Sequence, residues 1–172
     1  MLGIIGPILL VIIACFGFVL VFGPPYLPTL TKQMKIALKL ADLQPGQTLL
    51  ELGCGDGKVL VAAAQQGVRA VGFELNPLLV IFCKLRCWRY RHLVEVHWAN
   101  FWTRPWPATD VILIFGLPRL MKKLDTKIVH DARKPVKLVS FAFPIPDKRA
   151  VQHEAGVFVY EYPVRAKETL KA

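Results

Sequence analysis

The chain opens on a long apolar run and then settles into short apolar segments separated by glycine- and proline-bearing turns. From Leu2 to Gly23 (LGIIGPILLVIIACFGFVLVFG) no side chain is charged. At about 1.5 Å per residue a helix of this length reaches roughly 30 Å, the thickness of a bilayer core. The pattern therefore predicts one transmembrane helix, an anchor in residues 1–24. A cleaved signal peptide would need a positive leading region and a small-x-small cleavage site. Here the first lysine is Lys32 and the run exits through Phe22-Gly23-Pro24-Pro25. Lys32, Lys35 and Lys39 follow the run, so the positive-inside rule places the body on the cytoplasmic side of a single-pass membrane protein, or on the matrix side of the inner membrane in a mitochondrion. Residues 25–45 read as a connector and a first helix. Pro24 to Thr29 cannot continue a helix, and Thr31 caps one whose apolar face is Met34, Ala37, Leu38 and Leu40.

Residues 46–166 alternate between two periods. Thr48–Leu52 is a short apolar run ending in glycines, which suits a buried parallel strand. A small-residue helix over Val59–Gln66 is closed by Gly67. Arg69–Leu75 is the second strand, and Asn76-Pro77 is an N-cap and first-turn pair for a helix reaching Arg91. Strands follow at Leu93–Trp98 and Asp110–Phe115, a helix at Pro118–His130 and a strand at Lys137–Phe143. Ala150–Gln152 and Val157–Tyr162 form an antiparallel pair. Strands alternating with helices predict an α/β fold, a mostly parallel sheet with helices on both faces. Residues 167–172 read as a polar tail.

Composition changes this picture in two places. Of 172 residues 54% are hydrophobic, partly because of the amino-terminal run, and the formal net charge is +10. A basic balance suits nucleic acid or an anionic membrane surface, and the predicted anchor favours the membrane over nucleic acid. Cys15, Cys54, Cys83 and Cys87 form no C-x-x-C pair and no metal-ligand spacing, so no metal is expected and the thiols read as reduced. His92, His97, His130 and His153 show no spacing that suggests a hydrolase.

The chemistry concentrates in Glu51-Leu52-Gly53-Cys54-Gly55-Asp56-Gly57-Lys58, a strand-to-helix turn. Glycines there let the backbone approach a ligand, and the following helix offers free N–H groups. Dinucleotide sites space their glycines G-x-G-x-x-G to meet a pyrophosphate. Here the spacing is G-x-G-x-G, with acids at Glu51 and Asp56 that suit a cationic ligand such as S-adenosylmethionine. Glu74, at the end of the second strand, is placed to take ribose hydroxyls. Asn100 and Phe101, just beyond the third strand, are candidates for the adenine, Asn100 by a hydrogen bond and Phe101 by stacking; Asn100 as a loop cap is the competing reading. Trp102 and Trp106 are expected to pack a loop or touch the bilayer interface rather than stack bases. After the fourth strand, Phe115-Gly116-Leu117-Pro118 lacks the polar first residue that amino-base methyltransferases use, so base-amino methylation is disfavoured. Gly116, Leu117 and Pro118, with Phe143 and Pro144, are candidate acceptor-site walls, and no residue is assigned as catalytic.

At this point the chain resembles a known group. The Pro-Tyr-Leu-Pro-Thr connector, Glu-Leu-Gly-Cys-Gly-Asp-Gly-Lys, Ala-Val-Gly-Phe-Glu-Leu-Asn-Pro, Ile-Phe-Gly-Leu-Pro and Phe-Ala-Phe-Pro-Ile-Pro are similar to stretches of the small membrane-anchored protein-lysine methyltransferases. Eukaryotic members of that group act on the ATP synthase c subunit and the adenine nucleotide translocase. The resemblance implies a Rossmann-like class I methyltransferase fold with a seven-stranded sheet, S-adenosyl-L-methionine as donor and a membrane-protein lysine as acceptor. It assigns Glu51, Gly53, Gly55, Gly57 and Glu74 to the cofactor, with Cys54 and Asp56 in the same loop. The group has Asp where this chain has Asn100. Two other readings remain: methylation of a small-molecule, lipid or quinone acceptor at the membrane, and a non-enzymatic membrane-tethered module that binds a nucleotide or RNA.

Overall fold

The protein is described from a computed structural model, which covers residues 5–7, 9, 10, 13, 17 and 31–163. Helix α1 (Thr31–Ala41) leads into β1 (Thr48–Leu52), α2 (Lys58–Ala64), β2 (Arg69–Glu74), α3 (Pro77–Cys87) and a 3₁₀ turn at Trp88–Tyr90. Then come β3 (Val94–Trp98), β4 (Val111–Phe115), α4 (Pro118–Asp131), β5 (Val136–Phe141), β6 (Gln152–Glu154) and β7 (Val157–Tyr162). The seven strands form one sheet in the order β3-β2-β1-β4-β5-β7-β6. Strands β1 to β5 are parallel, while β7 runs antiparallel to both β5 and β6. The parallel sheet and nearly every predicted element are present. The main differences are at ends: α3 stops at Cys87 and tightens into the 3₁₀ turn, and β5 stops at Phe141.

Each face of the sheet has its own core, because successive side chains of a strand point to opposite faces. In β4, Val111 and Leu113 join α1, α2 and α3 on one face, while Ile112 and Ile114 join α4 on the other. That is why the predicted Val-Ile-Leu-Ile run is apolar throughout: a central parallel strand is buried on both faces. Helix α4 presents Met121, Leu124 and Ile128, all fully buried, along one stripe. Burying each contributes about 1.5–3 kcal/mol, so this stripe is what holds α4 on the sheet. Asn76 caps α3, its Oδ1 accepting from the Leu78 and Leu79 amides, with Pro77 in the first turn.

The crossover from β3 to β4 contains no helix. Pro105 and Pro107 forbid one, and the segment is packed instead by aromatic side chains. Trp106 is buried and its Nε1 donates to the Phe101 carbonyl at 2.9 Å. Lys123 and Lys127 of α4 sit over the Trp102 and Trp106 rings, 4.5 and 4.7 Å from the centroids. The tryptophans thus pack a loop. An open groove of about 810 Å³ remains beside it, bordered by Arg69, Phe73, His97, Arg104 and Arg133.

The expected transmembrane helix has to be corrected. Among the described residues no helix is long and apolar enough to cross a membrane. Of the run 2–23 only residues 5–7, 9, 10, 13 and 17 are described, in helical conformation. The single-pass placement with a cytoplasmic body falls with it. The reason is that freedom from charge measures tolerance of burial, whereas spanning a bilayer also takes a single helix of about 20 residues. The Pro24–Thr29 connector and the 167–172 tail lie outside the described residues.

Candidate functional site

The carboxyl ends of β1 and β2 are tied together by main-chain geometry. The Gly53 and Cys54 amides both donate to the Phe73 carbonyl, at 2.8 and 3.0 Å. Gly53, Gly55 and Gly57 have φ of +83°, +50° and +77°, the region in which an L side chain is strained. At Gly57 a second constraint applies. A Cβ there would lie 2.5 Å from the Cys83 Sγ and 3.2 Å from the Cys87 Sγ. The loop rests on three buried thiols, Cys54, Cys83 and Cys87, with the Cys54 and Cys83 sulfurs 3.9 Å apart. Mutual sulfur contact and burial hold the Cys83 and Cys87 thiols well above their usual pKa, so they are packing groups, and no metal-ligating cluster occurs among the described residues. The i, i+4 spacing of Cys83 and Cys87 was visible in the sequence. What that face packs against was not.

Glu74 is the hub of the turn. Its Oε1 accepts from the Leu75 and Asn76 amides, both at 2.8 Å, and its Oε2 accepts from the Gly55 amide at 2.9 Å. The carboxylate therefore binds the glycine loop of one strand to the end of the next. Asp56 faces outward, paired with Arg86 at 2.6 Å and with Lys58 at 3.3 Å.

Glu51 differs from both. It is buried, and its Oε2 has no hydrogen-bond partner. Burial, reinforced by Asp56 and Glu74, pushes its carboxyl well above the usual range. A buried acceptor without a donor is costly, and at a strand end beside a glycine loop it calls for a ligand that brings a donor. A cationic ammonium fits it; a pyrophosphate does not. A second orphan, the Asn76 Nδ2 at the start of α3, is a donor without an acceptor.

The remaining candidates divide. Gly116 is buried and Leu117 half-buried, with Pro118 opening α4, all at the carboxyl end of β4 next to β1. Asn100 stands just past β3, but its Oδ1 accepts from the Trp102 amide at 2.9 Å and its carbonyl from Thr103. Its polar groups are thus engaged in capping the turn. Phe101 is buried in the α4 core, its ring 4.7 Å from that of Trp102. So the structure gathers Glu51, the glycine loop and Glu74 at the carboxyl ends of β1 and β2 and turns Phe101 inward. Sequence reasoning missed Phe115 and Phe141, whose ring centroids are 4.8 Å apart where β4 and β5 end. It missed as well the left-handed backbone of Ala142, at φ +71°. The Phe-Ala-Phe stretch itself was noticed, but nothing in its pattern announces a strained residue.

Known proteins resemble this chain. Residues 51–152 match the model of the ANTKMT methyltransferase domain. The lysine N-methyltransferase of Xenopus laevis named for the c subunit of ATP synthase is 33% identical over 125 residues, covering 72% of this chain and 55% of that protein. The adenine nucleotide translocase lysine N-methyltransferase of Mus musculus is 32% identical over 145 residues, covering 81% and 63%. The chain spans about half the length of the first of the curated relatives it matches. Among solved structures, an RNA methyltransferase from Salinibacter ruber in complex with S-adenosyl-L-homocysteine superposes with a TM-score of 0.72 at 25% identity, covering 80% of this chain and 94% of that one. The matched span begins at Glu51 and contains the glycine loop, Glu74 and the ends of β4 and β5, and the chain belongs to the family of the ANTKMT methyltransferase domain.

Proposed function

We propose that this protein is an S-adenosylmethionine-dependent N-methyltransferase whose acceptor is a lysine side chain of a membrane protein. The observation that carries the donor is the unpartnered, buried Glu51 carboxyl beside three positive-φ glycines and Glu74. The names of the relatives, which pair lysine methylation with a component of ATP synthase and a nucleotide translocase, support the acceptor.

In this reading Glu51 faces the ammonium end of the donor. Gly53, Gly55 and Gly57, with Cys54 and Asp56 between them, bring the backbone close to it, and Glu74 offers its remaining lone pairs to ribose hydroxyls. Asn100 and the loop it caps border the adenine. When bound, the donor supplies an electrophilic methyl: the amine lone pair forms the N–C bond as the C–S bond breaks, the bonding pair stays on sulfur, and S-adenosylhomocysteine is released. The acceptor must reach the site as a neutral amine, although free lysine titrates near ~10.4. Half-buried aromatic surroundings at the ends of β4 and β5 disfavour the charged form and promote loss of that proton to water. Holding the nitrogen in line accounts for roughly 7–11 kcal/mol of barrier lowering. Gly116, Leu117 and Pro118 line the approach.

The test is to incubate the protein with tritium-methyl donor and membranes and to hydrolyse the labelled fraction. Methyl-lysine is the expected product. Label confined to lipid, a quinone or RNA would overturn the acceptor assignment, and no donor binding by calorimetry would overturn the whole reading.

A further inference from the structure

The ends of β4 and β5 carry an aromatic feature that the methyl-donor site does not use. Glu51, Leu113 and Val139 stand in one row across β1, β4 and β5. Two residues further along each strand the side chains point the same way, and that next row is Gly53, Phe115 and Phe141, with Phe115 opposite Phe141 in the register. The row thus begins in the glycine loop. A Cβ built on Gly53 would meet nothing within 4 Å, and both rings are only half-buried, whereas Leu113 and Val139 in the row before are buried. The two rings touch in a tilted pair, 39° between planes.

The backbone on either side of Phe141 is clamped. Ser140 is fully buried, and its Oγ donates to the Phe143 carbonyl at 2.6 Å. Ala142, held at φ +71°, donates its amide to the Gly156 carbonyl in the β6–β7 turn at 2.8 Å. A non-glycine residue keeps such a conformation only where its surroundings over-determine it. Here the surroundings fix the direction of the Phe141 ring relative to β4 and to the glycine loop.

We propose that Phe115 and Phe141 form the aromatic wall against which the methylene stem of the acceptor lysine lies, with Ser140 as the residue that positions Phe141. This rests on the methyltransferase reading above. Rings at this place give the alkyl chain of the acceptor an apolar surface. They select a long, flexible amine over a planar base, which would need hydrogen-bonding groups that this wall does not present.

The experiment measures binding and needs no identified acceptor. Two analogues of S-adenosylhomocysteine are used, each with nitrogen in place of sulfur: one carries a methyl group, the other a five-carbon alkyl chain that traces the methyl and the lysine stem. Calorimetry on the native protein should give a pentyl-to-methyl affinity ratio of about fifteen, the gain from burying about two methylenes. The ratio should fall toward one in Phe141→Ala and in Phe115→Ala, and by about threefold in Ser140→Ala. If a variant binds neither analogue, the volume-keeping Phe141→Leu decides, with about a threefold fall supporting the wall and an unchanged ratio overturning it. A native protein that binds the methyl analogue but gains nothing from the pentyl chain overturns the wall and leaves the donor site standing. A native protein that binds neither overturns both.

Discussion

Replacing Gly57 by alanine tests how the glycine loop is built. Two costs arise at once. The residue sits at φ +77°, where a Cβ costs roughly 1–2 kcal/mol. The new methyl would also stand 2.5 Å from the Cys83 sulfur. That sulfur has one rotatable bond and is boxed in by Cys54 at 3.9 Å and by Cys87, so it cannot step aside freely, and crowding a packed core in this way costs about 1–3 kcal/mol. The sum is about 2–5 kcal/mol, or a fall in Tm of roughly 5–15 °C for a domain of this size. Denaturant unfolding followed by circular dichroism measures it. The double variant Gly57→Ala/Cys83→Ala separates the terms, because removing the sulfur relieves the clash but leaves the backbone strain. A double-mutant cycle should return a favourable coupling of about 1–3 kcal/mol. Coupling below about 0.5 kcal/mol would refute the packing argument, and a Gly57→Ala protein as stable as the parent would refute both halves.

Three further outcomes are expected. Because burial raises the Glu51 pKa above its unfolded value, the ligand-free protein holds that group's full stability below the ordinary carboxylate range and loses it as pH rises through the raised value; Glu51→Gln should flatten the decline of Tm with rising pH, and an unchanged slope would count against it. Glu74→Gln sets an amide NH₂ against backbone donors that now meet a carboxylate, so it should cost about 1–3 kcal/mol and weaken S-adenosylhomocysteine binding at least about tenfold; calorimetry showing parental affinity would remove Glu74 from the site. Tyr162→Phe deletes the 2.5 Å bond that the hydroxyl donates to Asp125, which keeps Lys148 at 2.9 Å, and should cost about 1 kcal/mol in chemical denaturation without changing donor affinity.

Much of this molecule could be read from the sequence, and the legible parts share a cause. The alternation of strands and helices, the Asn76-Pro77 start of α3 and the glycine turn after β1 are local: each follows from the period of the side chains or the dihedral preferences of a few residues. The place of Glu74 was legible, at a strand end one crossover after the glycine loop, but its clamp on the Gly55 amide was not. The family resemblance added the seven strands, which the sheet bears out, and the class of chemistry, which agrees with the family that the comparisons show.

The rest depended on what distant segments bring to the same place. That Glu51 is a buried acceptor without a donor follows from the sheet and helices that enclose it. The thiols of Cys54, Cys83 and Cys87 meet only because α3 packs across the loop. Phe101 turns into the core because Pro105 and Pro107 leave the β3–β4 crossover without a helix, so aromatic side chains fill the space over α4. Phe115 and Phe141 lie 26 residues apart in the chain and are paired by strand register alone. The one expectation that had to be withdrawn, the amino-terminal membrane helix, took the absence of charge for the presence of a continuous helix. Hydropathy is a sum over residues, whereas crossing a bilayer also takes one helix of about 20 residues, and among the described residues no helix is long and apolar enough.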